Sequence, residues 1–175
     1  AATITRTGYT GDLGYEIWVD NENALGLWDA LMSAGAPYGI APTGLDALDV
    51  CRIEAGFILN GCDYFSANHC MIEARTSTPY EAGLGWTVNL DRDPFIGQPA
   101  LQREKADGSV WQFVGLEIDW AEFEALHDRY GLPPELCSMA SRDAVPLYSA
   151  AGRQVGQATS RAWSPTLKKS LALAT

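Results

Sequence analysis

A glycine-rich segment beside a short alternating strand constrains the N-terminal part of the chain most strongly. Residues 6–17 read R-T-G-Y-T-G-D-L-G-Y-E-I, with glycines three residues apart. Glycine at this density next to a strand predicts a left-handed turn, or a backbone that another group approaches closely. Because strand side chains alternate, we expect Glu16 and Trp18 to lie opposite Ile17. A carboxylate beside an indole suits a planar ligand with adjacent N–H donors, but a hairpin with a solvated polar face fits the same pattern.

Length and charge exclude several classes of function. The 175 residues suffice for one large or two small domains. A net charge of -10 without a basic stripe argues against nucleic acid or an anionic membrane as a partner, although one local Arg or Lys can still hold a small anion. No apolar run reaches membrane-spanning length, and the start, A-A-T-I-T, lacks a signal-peptide core. We therefore expect a soluble, cytoplasmic protein.

Cysteine and histidine give few catalytic candidates. The four cysteines form no C-x-x-C pair, which predicts reduced thiols rather than disulfides. Metal-capable side chains cluster after Gly61, but their spacing matches no zinc pattern and we predict no metal site there. This cluster consists of Cys62, Asp63, His69, Cys70 and Glu73. G-x-S-x-G, P-loop and G-x-G-x-x-G motifs are missing, so nothing indicates an independent hydrolase or a nucleotide-binding fold.

Hydrophobic periodicity predicts two helices after the glycine-rich segment. The first covers residues 21–34 and ends at Gly35, and its apolar stripe is expected to face the core. That stripe consists of Ala24, Leu27, Trp28 and Leu31. The second helix starts with a capping box of Thr43 and Asp46 and ends at Gly56. Two charged residues on it, Arg52 and Glu54, are expected at the surface or in ion pairs.

The rest of the chain predicts irregular segments, one short helix and several strands. Residues 60–78 are polar and irregular, and the turn at 91–94 is the best candidate for a domain boundary. The expected elements are a helix over 99–105, a strand over 110–118, and a hairpin of 145–148 with 154–160. Between 119 and 143, helical spacing of large apolar residues predicts a docked helix, with a substrate lid as the alternative. These residues are Trp120, Phe123, Leu126 and Tyr130.

Five sequence blocks together resemble one known family. The glycine-rich segment is similar to the R-T-G-Y-T-G-[ED]-x-G-[YF]-E-[IL] signature of the glycine-cleavage T-protein (aminomethyltransferase) family. Four further blocks resemble that family in the same order: G-L-D-A-L-D-V-C-R-I-E-A-G at 44–56, T-P-Y-E-A-G-L-G-W-T-V at 78–88, F-I-G-Q-P-A-L at 95–101, and G-Q-A-T-S-R-A-W-S-P-T-L-K-K-S-L-A-L-A at 156–174. Together they cover most of the chain.

The resemblance implies an α+β fold in two parts. Residues 1–93 are expected to form the C-terminal part of a folate-binding domain. Residues 94–175 are expected to form a small antiparallel β-barrel domain, truncated at its end and carrying an insertion at about 119–143. The family's catalytic Asp precedes the signature, so no residue here receives a catalytic role. We therefore expect this fragment to be inactive alone.

The resemblance also implies one-carbon chemistry with tetrahydrofolate as the cofactor. T-proteins take an aminomethyl group from the lipoyl arm of a carrier protein and pass methylene to tetrahydrofolate. The family carboxylate that matches Glu16 binds the pterin ring, whose amino group and ring N–H are parallel donors. Tyr9 either packs beside that ring or has a structural role in the turn. The expected partners are thus folate, a one-carbon donor and, for glycine cleavage, a lipoyl carrier protein.

Two departures from the family pattern leave the exact reaction open. Leu48 stands where the family has an arginine that helps to hold folate, and Arg161 stands where it often has glycine. An apolar residue at position 48 is more similar to folate-dependent demethylases and to the C-terminal part of dimethylglycine or sarcosine dehydrogenases. A non-enzymatic folate-binding regulatory protein is a further alternative, although its K-G-C-Y-x-G-Q-E motif is missing. A scaffold without folate affinity is the last alternative.

Overall fold

The computed structural model describes residues 1–68 and 70–175, which form two compact units, residues 1–57 and 58–175. Both α-helices and antiparallel sheets occur, so the predicted α+β class is confirmed. The division between the units falls inside the segment assigned to the first domain. The predicted domain boundary at 93/94 stays a prediction. Within the described residues, no helix combines the length and apolarity needed to cross a membrane.

The first unit contains a two-stranded sheet and two helices. Strands β1 (Ala2–Thr5) and β2 (Glu16–Val19) pair antiparallel, with Thr5 opposite Glu16. Helix α1 spans Ala24–Gly35 and helix α2 spans Leu45–Glu54. Short 3-10 turns occur here at Asn21–Asn23 and Ala36–Tyr38. The predicted end of the first helix at Gly35 is confirmed, while its expected first residues form the 3-10 turn.

Two predictions for these helices are wrong. No residue of α1 is buried, and Trp28 is 53% exposed, so its apolar stripe forms no core. Among the described residues of this unit only one hydrophobic side chain, Ile53, is buried, so there is no apolar core against which the stripe packs. The capping box at Thr43 is also absent from the described residues, since α2 is capped by Gly44 without a side-chain hydrogen bond. Gly56 does follow the helix, with φ of 73°.

The second unit contains a four-stranded antiparallel sheet and two helices. Its elements are α3 (Gln98–Asp107), β3 (Val114–Ile118), α4 (Trp120–Arg129), β4 (Val145–Tyr148), β5 (Gln154–Ser164) and β6 (Lys169–Ala174). The strand order is β3-β6-β5-β4, and 3-10 turns lie at Glu73–Arg75 and Gly85–Thr87. Small side chains of β5 and β6 form the buried centre, namely Ala158, Ala172 and Ala174. The antiparallel pairing of β4 with β5 confirms the predicted hairpin, although β3 begins four residues later than expected.

Helix α4 lies in the predicted insertion and docks through an aromatic contact. Asp119 caps it by accepting a hydrogen bond from the backbone N–H of Glu122 at 3.0 Å. The Trp120 ring lies 6.0 Å from the Trp163 ring on β5 and 5.5 Å from Phe123. Trp120 thus docks α4 on the sheet as predicted, whereas Leu126 and Tyr130 of the same stripe are 49% and 74% exposed, so the prediction is wrong for that part of the face.

Thr78 and Glu81, the first and last residues of the T-P-Y-E segment, are joined by two reciprocal hydrogen bonds. Thr78 Oγ1 accepts from the Glu81 backbone N–H at 3.1 Å, and Glu81 Oε2 accepts from the Thr78 backbone N–H at 3.1 Å. The same hydroxyl donates to Glu104 Oε1 on α3 at 2.6 Å. This capping box therefore fixes the T-P-Y-E turn to α3.

Replacing Thr78 with alanine is expected to lower the free energy of unfolding by about 1–2 kcal/mol, because it removes a capping acceptor and a donor to Glu104. Urea denaturation of the full-length protein measures this change. Thr78→Ser keeps the hydroxyl and should stay near the original stability. Equal losses in both variants would contradict the role of the hydroxyl.

Candidate functional site

The glycine-rich loop joins β1 to β2 and is closed at its base by two glycines. A Cβ atom on Gly14 would lie 3.0 Å from Gly8 Cα and 3.2 Å from the Thr7 carbonyl oxygen. A distance of 3.0 Å is at the lower limit of the contacts that Cβ atoms make in proteins, so a side chain at position 14 would press on the backbone of Gly8. The two sides of the loop therefore approach each other closely because both positions lack a side chain. The predicted close approach of the backbone is confirmed.

The tip of the loop rests against the end of α2. Gly11 has φ of +86°, and a Cβ atom on it would lie 2.8 Å from Ala55 Cβ. Its left-handed backbone and the lack of space each favour glycine. The glycine-rich block thus packs on the E-A-G block, two segments that the sequence resemblance treats separately.

Tyr9 takes part in this packing. Its half-buried ring stacks on Phe57, with centroids 5.7 Å apart and planes 21° apart. Phe57 follows α2, and its carbonyl oxygen accepts from Arg52 Nη1 at 3.3 Å. Arg52 is fully buried and pairs with Asp49 through an Nε–Oδ1 distance of 3.0 Å. The expected ion pairing of Arg52 is confirmed, and its expected position at the surface is wrong. The stacking on Phe57 supports a structural role for Tyr9 in the turn.

Glu16 lies on the exposed face of β2. It shares that face with Trp18, which is 61% exposed, while Ile17 is half-buried, so the predicted alternation is confirmed. Within residues 1–68 and 70–175, no side-chain hydrogen bond or ion pair involves the Glu16 carboxylate. Opposite it in register, Thr5 Oγ1 is buried and likewise lacks a hydrogen-bond partner in the described chain. Both Glu16 oxygens are therefore available to parallel N–H donors.

Leu48 does not compensate for the missing family arginine. It is half-buried on α2, immediately before Asp49, and its aliphatic side chain has no donor. Leu48 therefore offers neither a charge nor a hydrogen bond to a ligand at this position.

A second polar cluster, which the sequence did not predict, lies on β5. The buried Asp63 Oδ1 accepts from Thr159 Oγ1 and Ser160 Oγ, both at 2.6 Å, and its Oδ2 accepts from the Leu59 backbone N–H at 2.9 Å. The register of β5 against β6 shifts between Ala158 and Ser160. This bulge places Thr159 outside regular pairing, so that two adjacent hydroxyls reach one oxygen. We call Asp63, Thr159 and Ser160 the hydroxyl–carboxylate cluster.

The hydroxyl–carboxylate cluster includes Asp63 and lies beside Cys62, two of the metal-capable residues that follow Gly61. The Cys62 thiol lies 3.3 Å from the Thr159 carbonyl oxygen and 3.4 Å from Ser160 Oγ. Outside position 69, no group of three or more His, Cys, Asp or Glu side chains is arranged to hold a metal ion. His69 lies outside the described residues. The four cysteines are free thiols, of which Cys137 is exposed.

Comparison with known proteins agrees with this architecture. An aminomethyltransferase of Halothermothrix orenii is 37% identical over 170 residues, covering 97% of this chain and 40% of that protein. A trimethylamine-oxide aldolase of Ruegeria pomeroyi is 39% identical over 173 residues, covering 98% of this chain and 18% of that protein. The crystal structure of the glycine cleavage system aminomethyltransferase T from Bartonella henselae superposes with a TM-score of 0.74 at 26% identity, over 99% of this chain and 41% of that one.

The fold and the glycine loop are thus of the aminomethyltransferase type. The family model described as the GCVT N-terminal domain matches residues 1–92. The chain belongs to this GCV_T family, and it spans about two fifths of the length of the curated aminomethyltransferases that it matches.

Proposed function

We propose that the protein carrying this chain transfers a one-carbon group to tetrahydrofolate, and that Glu16 binds the pterin ring. The observation that carries the proposal is the exposed Glu16 carboxylate, without a partner in the described chain, beside a glycine loop of the family type. The aminomethyltransferase relatives support the reaction class. An ionised carboxylate accepts two hydrogen bonds from the parallel donors of a pterin, and such charge-assisted bonds are strong.

The residues described here would bind and orient the folate rather than break bonds. Tetrahydrofolate itself supplies the nitrogen that accepts the one-carbon unit. Glu16 would fix the pterin plane, while Tyr9, held on Phe57, would fix the loop from which β2 begins. Correct placement of two reactants can contribute several kcal/mol to catalysis. The group that handles protons during transfer is proposed to lie outside this chain, as the family pattern places its Asp before the signature.

The test is a calorimetric titration of tetrahydrofolate into the full-length protein and its Glu16→Gln variant. We expect the variant to bind at least about tenfold more weakly, a loss of about 1.4 kcal/mol, because an amide accepts only one of the two bonds. Glu22→Gln is the matched control, since Glu22 is also an exposed carboxylate of the first unit. Loss of binding in both variants, or in neither, would contradict the assignment to Glu16.

A second candidate reaction removes a one-carbon unit from an N-methylated amine. Two observations favour it: the apolar Leu48, and the Ruegeria pomeroyi relative whose name specifies trimethylamine oxide. Incubating the full-length protein separately with trimethylamine oxide, dimethylglycine, or an aminomethylated lipoyl carrier protein separates the candidates. Release of formaldehyde from trimethylamine oxide, or transfer of a methyl group from dimethylglycine to folate, supports the second candidate, whereas release of ammonia supports glycine cleavage. Folate binding without turnover of any donor would support the non-enzymatic alternative.

A further inference from the structure

Arg161 is a half-buried cation without an acidic partner. Its Nη2 donates to Ser141 Oγ at 3.1 Å, while its Nε is buried and lacks an acceptor among the described residues. None of the carboxylates in residues 1–68 and 70–175 forms an ion pair with it. This is unexpected in a chain with 22 acidic and 12 basic residues. A buried N–H of this kind is costly unless an acceptor or an ordered water reaches it.

The backbone holds Arg161 in a defined position. The Ser141 backbone N–H donates to the Arg161 carbonyl oxygen at 2.8 Å, and the Arg161 backbone N–H donates to the Ser141 carbonyl oxygen at 2.9 Å. Ser141 Oγ also accepts from the Asp143 backbone N–H at 3.3 Å. The hydroxyl that orients the guanidinium is therefore fixed itself. The guanidinium is thus preorganised, which lowers the entropic cost of binding a ligand at Nη1, the group of this side chain that is neither buried nor bonded among the described residues.

We propose that Arg161 binds a single carboxylate group. The planar guanidinium fork matches both carboxylate and phosphate. The net charge of -10 repels a doubly charged phosphate more than a singly charged carboxylate, which favours the latter. The carboxylate has two possible sources, a small molecule or an acidic side chain from another part of the full-length protein. This site is independent of Glu16 and of the proposed function.

The experiment compares Arg161→Gln with Arg153→Gln in the full-length protein. Arg153 is an exposed arginine in the turn before β5, so its replacement makes the same charge change without touching the site. If the carboxylate belongs to a small molecule, sodium acetate should raise the melting temperature above that in sodium chloride of equal ionic strength. This shift should persist in Arg153→Gln and vanish in Arg161→Gln.

If the carboxylate belongs to the protein, acetate should have no specific effect. Arg161→Gln should then lower the folding equilibrium constant at least fivefold more than Arg153→Gln in 50 mM salt. That difference should shrink in 500 mM salt, because salt screens an ion pair but not a neutral contact. The proposal is overturned if acetate has no specific effect and the two variants are equally stable. A salt-independent difference also overturns it, since that result reports only the lost Ser141 contact.

Discussion

Asp63→Ala is expected to lower the free energy of unfolding by about 3–5 kcal/mol, the largest effect predicted for this chain. The carboxylate accepts from two hydroxyls at 2.6 Å and from the Leu59 backbone N–H at 2.9 Å. Thr159 is 2% exposed and Ser160 is 0% exposed, so water cannot readily replace the lost acceptor. Thr159 Oγ1 keeps a second acceptor in the Leu173 carbonyl oxygen at 3.2 Å, whereas Ser160 Oγ and the Leu59 N–H lose the Asp63 oxygens, at about 1–3 kcal/mol for each lost buried bond. Urea denaturation of the full-length protein measures the change.

Asp63→Asn separates the loss of hydrogen bonding from the loss of volume. Its amide keeps one carbonyl acceptor for the two hydroxyls, so it should be less destabilising than alanine. Asp143→Ala is the control, because Asp143 is an exposed carboxylate of the same unit without a side-chain partner in the described chain. A loss below about 1 kcal/mol in Asp63→Ala would contradict the role of the cluster.

Gly11→Ala is expected to lower the free energy of unfolding by about 2–3 kcal/mol. An alanine at φ of +86° is strained, at a cost of about 1–2 kcal/mol, and its Cβ would lie 2.8 Å from Ala55 Cβ. The clash falls on a β-carbon fixed to the end of α2, so the backbone must move to relieve it. Thermal or urea denaturation measures the loss. We also expect weaker tetrahydrofolate binding, because the loop leads into Glu16.

Gly26→Ala is the matched control and should have the opposite sign. Gly26 lies on α1, and a Cβ atom there would meet nothing within 4 Å. Alanine is favoured over glycine in helices by up to about 1 kcal/mol, so this variant should be slightly more stable. If both substitutions destabilise the protein equally, the special geometry of position 11 is contradicted.

The sequence predicted the glycine loop well because its pattern is local. Glycine spacing indicated a close approach of the backbone, and Gly8 with Gly14 makes one. Alternation correctly placed Glu16 on the exposed face. The sequence did not reveal what the loop packs against, because the contacts of Gly11 and Tyr9 join segments more than forty residues apart. Periodicity finds a helix face but not its neighbours, which is why the α1 stripe was wrongly assigned to a core.

The hydroxyl–carboxylate cluster shows a second limit of sequence patterns. Asp63 and Thr159 are 96 positions apart, and neither lies in a pattern that points to the other. The T-S pair was visible only as part of a family block. A bulge has no reliable sequence signal, so the shared orientation of Thr159 and Ser160 follows from tertiary pairing.

The bulge at Thr159 also determines which changes in chain length β5 can accept. Deleting Thr159 would restore regular pairing with β6, but it would also remove one of the hydroxyls that donate a hydrogen bond to Asp63. Adding a residue between Thr159 and Trp163 would move every side chain on one side of the insertion to the opposite face of the sheet. Insertions and deletions should therefore accumulate in the turns around β5, while this stretch of strand keeps a constant length.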